Sequence, residues 1–350
     1  MLDELFVLLL AAGFYFLFRW AFRTLPAEKW QVIASRPVEK TGDGNWKGVN
    51  YTFYGFFIAS AYIFATMTTF VLLGAMGVPV VATITMVIGI SALCVPSSKL
   101  IANIIEKKKA TFSVGGASFV GVIAAPLVVA ITRATLGTWM NFQVYTLSVL
   151  ATIAIGYAFG EGLGRMACMS FGCCFGKPME DVPEWIRKLF QGRAFVFTGK
   201  TKKISYAGGL EGREVMPIQA VTTTIYCGTG LFCTYLFLKG FHGAALFISI
   251  AVTQIWRILS EFLRADFRGG RKFTFYQYMC LGSLFIAAVL AWFLPVPPAT
   301  SADLGAGLAT LWNPAILLLL QVLWVIMFLF FGTSETTASE MNIHVVQEKI

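Results

Sequence analysis

Two arginines lie at the ends of apolar segments, where a charged side chain is energetically costly. Arg165 follows an apolar run at 146–159, and Arg257 sits just inside another, within WRILSEFLRADFRGG at 256–270. A cation at the end of a membrane span is costly to place in hydrocarbon, so it marks a functional-site candidate. Planar guanidinium groups match phosphate oxygens bidentately. If these two arginines converge in the fold, the sequence predicts a clamp for a phosphate group.

The residues around each arginine admit a structural interpretation as well as a functional one. Glycines surround the first arginine in GEGLGRMACMSFGCCFGKP (160–178), where they let the backbone bend and approach a ligand closely. Arg257, Glu261 and Arg264 fall at i, i+4 and i+7, which places them on one helical face. Glu261 can then supply the partner that Arg257 needs inside an apolar run. An ion pair that only closes a helix end is the alternative.

Cysteine and histidine spacing predicts no metal site. Cys168, Cys173 and Cys174 form a cluster, but neither a histidine nor a further cysteine lies nearby in sequence to complete tetrahedral coordination. His242 and His344 are the two histidines, so a histidine-rich metal or proton site is excluded. Glycine fingerprints for nucleotides are absent as well. We therefore expect no metal, no cofactor and no nucleic-acid partner.

Composition places the chain in a membrane. Of its 350 residues, 57% are hydrophobic and 13% are charged, whereas roughly a quarter of residues are charged in soluble domains. A helix needs about 20 residues to cross a bilayer. The predicted fold class is therefore an all-α integral membrane protein with about nine transmembrane helices. The nine predicted spans are 3–22, 51–75, 78–98, 112–132, 142–160, 217–238, 241–260, 274–295 and 313–332.

The ends and loops carry weaker signals. The N-terminus, MLDELFVLLL, has acidic residues where a signal peptide would need basic ones, so we expect a retained helix. The segment 23–50 holds two prolines and TGDGNWKG, which predict irregular surface structure. The segment 177–216 is expected to be the only extramembrane subdomain. It contains an amphipathic piece at 183–191 and a hairpin near 207–212, which is either solvated or a lid.

Charge is distributed very unevenly among the predicted loops. Those after spans one, three, five and seven hold 6, 4, 9 and 5 of the 27 lysines and arginines, when Arg19 and Arg257 in the last turns of the preceding spans are counted with them. The remaining three, Arg133, Lys239 and Lys349 of the tail, are assigned to the other face. The positive-inside rule predicts a cytoplasmic basic face. The second interpretation is that some of these cations hold phosphate groups.

The stretch GRMACMSFGCCFGKP (164–178) resembles the arginine motif of the bacterial prolipoprotein diacylglyceryl transferases, in the GCC form found in part of that family. Four further pieces follow the family's order, so that the resemblance covers about residues 48–295. These pieces are TFYGFFIASAY (52–62), FSVGGASFVGVIAAP (112–126), MPIQ (216–219) and RILSEFLRADFRG (257–269), and Tyr276 and Gln277 match the last core span.

The resemblance implies a seven-span enzyme that moves the diacylglyceryl group of phosphatidylglycerol onto the thiol of a lipobox cysteine, releasing glycerol phosphate. It implies that Arg165 and Arg257 are the essential arginines, with Tyr54 as a third catalytic residue. We also expect eight substrate-binding residues, of which Ser113 is chosen for its hydroxyl. They are Ser113, Gly115, Gly116, Cys168, Gly176, Gln219, Glu261 and Arg264.

The sequence also departs from the family pattern. The family has a histidine before the glycine pair, where this chain has Val114. One extra helix precedes the core and another follows it, so we expect three parts at 1–47, 48–295 and 296–350. The family places its arginines outside the cytoplasm, whereas the charge rule places them inside.

The combined prediction is a multi-pass transferase of the cell (inner) membrane. Its donor is an anionic phospholipid, phosphatidylglycerol, and its acceptor need not be a lipobox cysteine. The alternative is a non-catalytic phospholipid-binding or lipid-transport protein on the same fold, one that keeps the arginine clamp without the family's histidine.

Overall fold

The fold is taken from a computed structural model, which describes residues 2–106, 113–266, 273–296 and 302–350. Arg268 of the last motif lies outside the described residues. So do residue 112, which begins the 112–126 piece, and residues 267 and 269 at the end of the 257–269 piece. The helices are α1 (Leu2–Thr24), α2 (Phe53–Ala75), α3 (Val80–Glu106), α4 (Val114–Thr132), α5 (Thr146–Phe171), α6 (Glu184–Leu189), α7 (Lys203–Tyr206), α8 (Ile218–Leu238), α9 (His242–Glu261), α10 (Phe275–Phe293), α11 (Leu304–Leu311) and α12 (Pro314–Gly332).

Nine helices in the described part of the chain are long and apolar enough to span a membrane. They are α1 to α5, α8 to α10 and α12, and they confirm the nine predicted spans. Helix α5 is the centre of the bundle, since 78% of the residues in its apolar stretch are buried. It packs against α2, α8 and α9. Its many small residues allow this close packing, as is usual for helix interfaces in membranes.

A three-stranded antiparallel sheet lies outside the helices and corrects one prediction. Strands β1 (Val32–Lys40), β2 (Trp46–Thr52) and β5 (Thr333–Met341) pair in the order β1-β2-β5. About half of the segment 23–50 is thus ordered strand, whereas 25–31 form turns and a short 3₁₀ helix and TGDGN (41–45) stays a turn. Pro37 is compatible with this arrangement because β1 is an edge strand. The prediction failed because β2 finds its second partner at the opposite end of the chain, which local sequence cannot indicate.

The sheet also corrects the charge assignment of the tail. Because nine is an odd number of spans and β5 pairs with β2, the tail lies on the same side as the first loop. Lys349 therefore belongs to the basic face. On the other side, Lys239 pairs with Asp3 at 3.0 Å and with Glu4 at 2.7 Å, which joins the end of α8 to the start of α1.

The segment 177–216 is a second extramembrane unit rather than the only one. Its amphipathic piece forms α6, which buries Ile186. Two short strands, β3 (Phe195–Val196) and β4 (Glu214–Val215), pair as a hairpin wider than predicted. The expected turn at 207–212 lies within their long connection, after α7.

A buried lysine ties this unit to the membrane helices. Lys202 Nζ donates to the carbonyl oxygens of Leu25 at 3.2 Å and Ser170 at 2.5 Å. These carbonyls lie at the ends of α1 and α5. Burial lowers the pKa of Lys202 from its usual value to about 8, and the nearby Glu28 charge partly opposes this shift. The lysine therefore stabilises the fold through hydrogen bonds while it bears the cost of desolvation.

Candidate functional site

A cavity of about 1360 Å³ lies among α2, α3, α4, α5, α9 and α10. Its end near the basic face is charged, and its other end is lined by apolar residues such as Leu73, Leu150 and Leu246. Seven of the predicted site residues line it, and Val114 does as well. The seven are Tyr54, Gly115, Arg165, Cys168, Arg257, Glu261 and Arg264. The cavity is thus amphipathic, with cations at one end.

One buried carboxylate joins the two principal arginines. Arg165 Nη2 and Arg257 Nη2 both pair with Glu161 Oε1, although they belong to α5 and α9. Tyr157 donates its hydroxyl hydrogen to Glu161 Oε2, and Gln254 Nε2 donates to the Tyr157 oxygen at 3.2 Å. The Glu161 side chain is 2% exposed and each guanidinium side chain is 12% exposed. The centre is therefore a shared, nearly dry ion pair.

Glu161 was missed by the sequence analysis, although a signal for it existed. It precedes Arg165 by four residues, so the two side chains lie on one face of α5. It is also an acidic residue at the end of an apolar run, which marks a functional-site candidate as much as an arginine does. A helical carboxylate one turn before the arginine could have been named as its partner.

The prediction that Glu261 is the partner of Arg257 is wrong, because Arg257 pairs with Glu161. Glu261 lies 3.8 Å from Arg264 rather than on Arg257. Arg264 in turn forms a fork with Asp266, with Nε to Oδ1 and Nη2 to Oδ2 both at 2.8 Å. The i, i+4, i+7 face does not hold because α9 ends at Glu261, so Arg264 lies beyond the helix. Arg257 is instead aimed across the bundle at α5.

Both arginines keep donor capacity beyond their shared carboxylate. Within the described chain, Arg165 Nε and Arg257 Nε are buried without a hydrogen-bond acceptor, and Gln219 Oε1 is buried without a donor. All three residues border a second, small cavity of about 20 Å³ behind the arginines. That space suits about one water molecule. An anionic ligand or a water that reaches these guanidinium groups would therefore find donors that glutamate does not use.

Gly115 is required by the close approach of Arg257. A Cβ at this position would lie 2.8 Å from Arg257 Nη1 and 3.1 Å from Tyr276 Cδ1. A side chain here would have to displace the guanidinium or the ring. The neighbouring Val114 is half-exposed and lines the same cavity. The position of the family's histidine thus faces the cavity that contains Arg257.

Two other predicted residues support helix α4 instead of lining the cavity. Ser113 Oγ accepts a hydrogen bond from the backbone N–H of Gly116 at 3.1 Å and so caps the start of α4. Gly116 packs against Ile101 of α3. Both residues are buried away from the cavity wall, so the structure gives their polar and small groups a positioning role.

Gly176 and Gln219 hold the chain that follows α5. Gly176 forms an antiparallel bridge with Arg264, which brings the 164–178 motif against the end of α9. Gln219 Nε2 donates to the Cys173 carbonyl oxygen at 2.9 Å. The Pro-x-Gln piece at the start of α8 therefore fixes the cysteine turn beside Arg165.

The three cysteines meet where α5 ends. Gly172 adopts a left-handed conformation with φ of 71° and turns the chain back, so that the sulfur atoms of Cys168, Cys173 and Cys174 lie within 4.8 Å of one another. Three thiols could hold a soft metal ion, but they are one ligand short of a closed tetrahedral site. A hydrogen bond to the Cys168 thiol and burial both raise the pKa of Cys173 well above its usual range, which favours a protonated thiol.

The fold and the cavity define a multi-pass α-helical membrane protein with a buried arginine and carboxylate centre. The family model for prolipoprotein diacylglyceryl transferase matches residues 46–293. The chain therefore belongs to the prolipoprotein diacylglyceryl transferase family, which confirms the resemblance seen in its motifs.

A curated relative is similar over part of its length. The phosphatidylglycerol–prolipoprotein diacylglyceryl transferase of Dehalococcoides mccartyi is 26% identical over 171 residues, which are 47% of this chain and 58% of that protein. The chain thus covers less than two thirds of the relative. No solved structure matches the chain.

Proposed function

We propose that this protein transfers the diacylglyceryl group of phosphatidylglycerol to a nucleophilic acceptor, with Arg165 and Arg257 clamping the phosphate. The observation that carries this function is the convergence of two guanidinium groups, from α5 and α9, on one carboxylate in an amphipathic cavity. Their buried Nε donors have no acceptor among the described residues and border a space for about one water molecule, so the guanidinium groups keep hydrogen-bonding capacity beyond the carboxylate. Within the expected core at 48–295, no other arrangement of described residues offers this combination.

The cavity suits each part of such a donor lipid. Acyl chains fit its apolar end, while the phosphate meets the charged end near the basic face. As the nucleophile attacks the glycerol carbon, negative charge develops on the leaving phosphate. Preorganised donors in a site with little water stabilise that charge strongly. Arg165 and Arg257 have this role, and Tyr54 lines the wall beside them.

The remaining cavity residues shape the head-group end. Arg264, fixed by Asp266 at 2.8 Å, adds a third guanidinium to the lining, and Glu261 balances part of its charge. Cys168 follows Arg165 by three residues and lines the wall. The segment bearing Lys203 and Tyr206 also borders the cavity, which supports a lid role for the 203–217 piece.

The direct test is an assay in phosphatidylglycerol vesicles with a lipobox peptide. We expect release of glycerol phosphate, together with a thioether on the peptide if its cysteine is the acceptor. Release without a thioether would indicate a different acceptor. Phosphatidylglycerol binding without any release would overturn the transferase proposal and support the non-catalytic lipid-binding alternative.

Installing the family's histidine addresses the acceptor. Val114→His places an imidazole in the cavity that also contains Arg257. We expect no gain in thioether formation, because we propose that this protein uses an acceptor other than a lipobox thiol, or removes the proton by a group other than the family's histidine. A clear gain would identify an ordinary lipobox transferase with a weakened base.

The membrane face is open to a labelling experiment. Single cysteines in 23–50, in 177–216 and after β5 should react alike in intact cells, since an even number of spans separates these segments. Labelling from outside would give the family orientation, and protection would give the orientation of the positive-inside rule.

A further inference from the structure

We propose that Glu161 is the proton acceptor that activates the incoming nucleophile, an inference that rests on the proposed function. The nucleophilic form of a thiol is the thiolate, so transfer to a thiol requires a group that removes the S–H proton. Among the described residues lining the cavity there is no histidine, and the acidic ones are Glu161, Glu261, Asp266 and Glu335. The proton acceptor therefore has to be sought among these carboxylates.

Position selects one of the four carboxylates. Glu261 and Asp266 both lie against Arg264 rather than at the clamp. Glu335 lies on β5, outside the membrane helices. Glu161 is in contact with both Arg165 and Arg257, so it is the carboxylate next to the place where they would hold the phosphate. A general base must be within hydrogen-bond reach of the proton it removes.

The hydrogen bonds around Glu161 leave it able to accept a proton. Tyr157 receives a hydrogen bond from Gln254 at 3.2 Å, so its own hydrogen points to Glu161 Oε2. The other oxygen is shared by two arginines. A phosphodiester that binds the same guanidinium groups competes for them, and their loosened hold frees Glu161 Oε1. The carboxylate thus becomes available when donor lipid is in place.

Charge balance supports the same assignment. Two guanidinium groups with one carboxylate carry a net charge of +1, and a bound phosphodiester brings the group to zero. During transfer, the leaving phosphate changes from a monoanion to a dianion. If Glu161 takes the proton of the nucleophile, it becomes neutral in the same step and the sum stays at zero. A buried site avoids the cost of an uncompensated charge in this way.

The step balances as a substitution at the glycerol carbon. The acceptor S–H proton passes to Glu161, the sulfur forms a bond to carbon, and the carbon–oxygen bond to phosphate breaks. The electron pair of that bond leaves with glycerol phosphate, which Arg165 and Arg257 hold. Glu161 then returns its proton to solvent or to the departing phosphate.

The test compares two thiols on Glu161→Gln, with Glu184→Gln on exposed α6 as the matched control. With a lipobox peptide as the alkyl thiol, we expect a turnover loss of roughly a hundredfold or more. Binding of phosphatidylglycerol should persist or tighten, because the competing carboxylate is gone. With an acidic aryl thiol, already ionised in solution, the loss should shrink to about tenfold or less, since no proton remains to be removed.

Other results would overturn the inference. Equal losses with both thiols, or none, would mean that Glu161 does not accept the proton. If Glu161→Gln does not bind phosphatidylglycerol, Glu161→Ala with added formate is the second variant, and formate should restore turnover. Failure of formate, or loss of lipid binding in both variants, would leave Glu161 with only a positioning role. An inactive wild type would instead defeat the proposed function itself.

Discussion

Two ion pairs in this protein differ mainly in their exposure to water. Glu161, with its two arginines, is 2% exposed and lies among membrane helices. Lys47 and Glu39 pair at 3.4 Å on the extramembrane sheet, where their side chains are 61% and 68% exposed. Both are pairs of a glutamate carboxylate with basic side chains. Water covers one pair and is excluded from the other.

The cost of separating each pair depends on how much water reaches it. Breaking a buried pair strands a charge and costs about 3–5 kcal/mol, whereas an exposed pair contributes about 0–1 kcal/mol. A buried charge cluster is therefore stable only where the fold supplies partners for every charge. Because burying charge is so costly, such a cluster marks a candidate functional site. The exposed pair can vary with little effect.

Arg257→Lys should nearly abolish transfer. The lysine keeps the charge, but an ammonium group cannot reproduce the planar fork that meets a phosphate bidentately. We expect glycerol phosphate release to fall by about a hundredfold or more, as when one preorganised donor is removed. Arg187→Lys on exposed α6 is the control and should retain full activity. Full activity of Arg257→Lys would contradict the clamp, as would full activity of both alanine variants, Arg165→Ala and Arg257→Ala.

Gly115→Ala should impair activity while the protein stays folded. The added Cβ would lie 2.8 Å from Arg257 Nη1, so the guanidinium must move away from its place beside Glu161. A displacement of about 1 Å can cost roughly a hundredfold, and we expect a loss between about tenfold and that value. Gly13→Ala in α1 is the control, because its Cβ would meet nothing within 4 Å. Unchanged turnover would show that the position of Arg257 tolerates adjustment.

Lys202→Met should change stability in a way that depends on pH. The folded-state pKa of about 8 lies below the usual 10.5. Between these values the unfolded chain binds more protons than the folded one, so the contribution of Lys202 to stability rises with pH. From pH 7 to pH 10, the difference in unfolding free energy should shift in favour of wild type by up to about 3 kcal/mol.

Thermal unfolding of the detergent-solubilised protein measures this shift. Lys200→Met, at an exposed position two residues earlier, serves as the control and should show no such trend. A wild-type advantage that stays constant across the same pH range would mean that Lys202 is not desolvated in solution.

Glu39→Gln should have the smallest effect. Removing this exposed partner of Lys47 is expected to change the unfolding free energy by less than about 1 kcal/mol, and salt should reduce even that. The measurement is a melting curve at low and high ionic strength. A loss as large as that from a buried pair would show that the sheet depends on this contact, and the contrast between the two regions would fail.

Several features could be predicted because they depend on local sequence. The nine spans follow from the length of apolar runs, and the five ordered motifs identified the family now shown by the match over residues 46–293. The partner of Arg257 was predicted wrongly, because Arg257 reaches across the bundle to Glu161 on α5 while Glu261 lies beside Arg264, and spacing within α9 cannot indicate a contact with another helix. Glu161 was accessible to the same reasoning through its i, i+4 spacing to Arg165, yet its second arginine was not.

The membrane class, the spanning helices and the two arginines of the site could be predicted from local sequence, since hydrophobic length and residue type act over short stretches. The carboxylate that the two arginines share depends instead on tertiary packing. Glu161 and Arg257 meet across 96 residues, and Asn50 and Ser339 meet across 289 residues in the sheet. Contacts at such separations depend on how helices and strands pack together, and no local pattern in the chain encodes them.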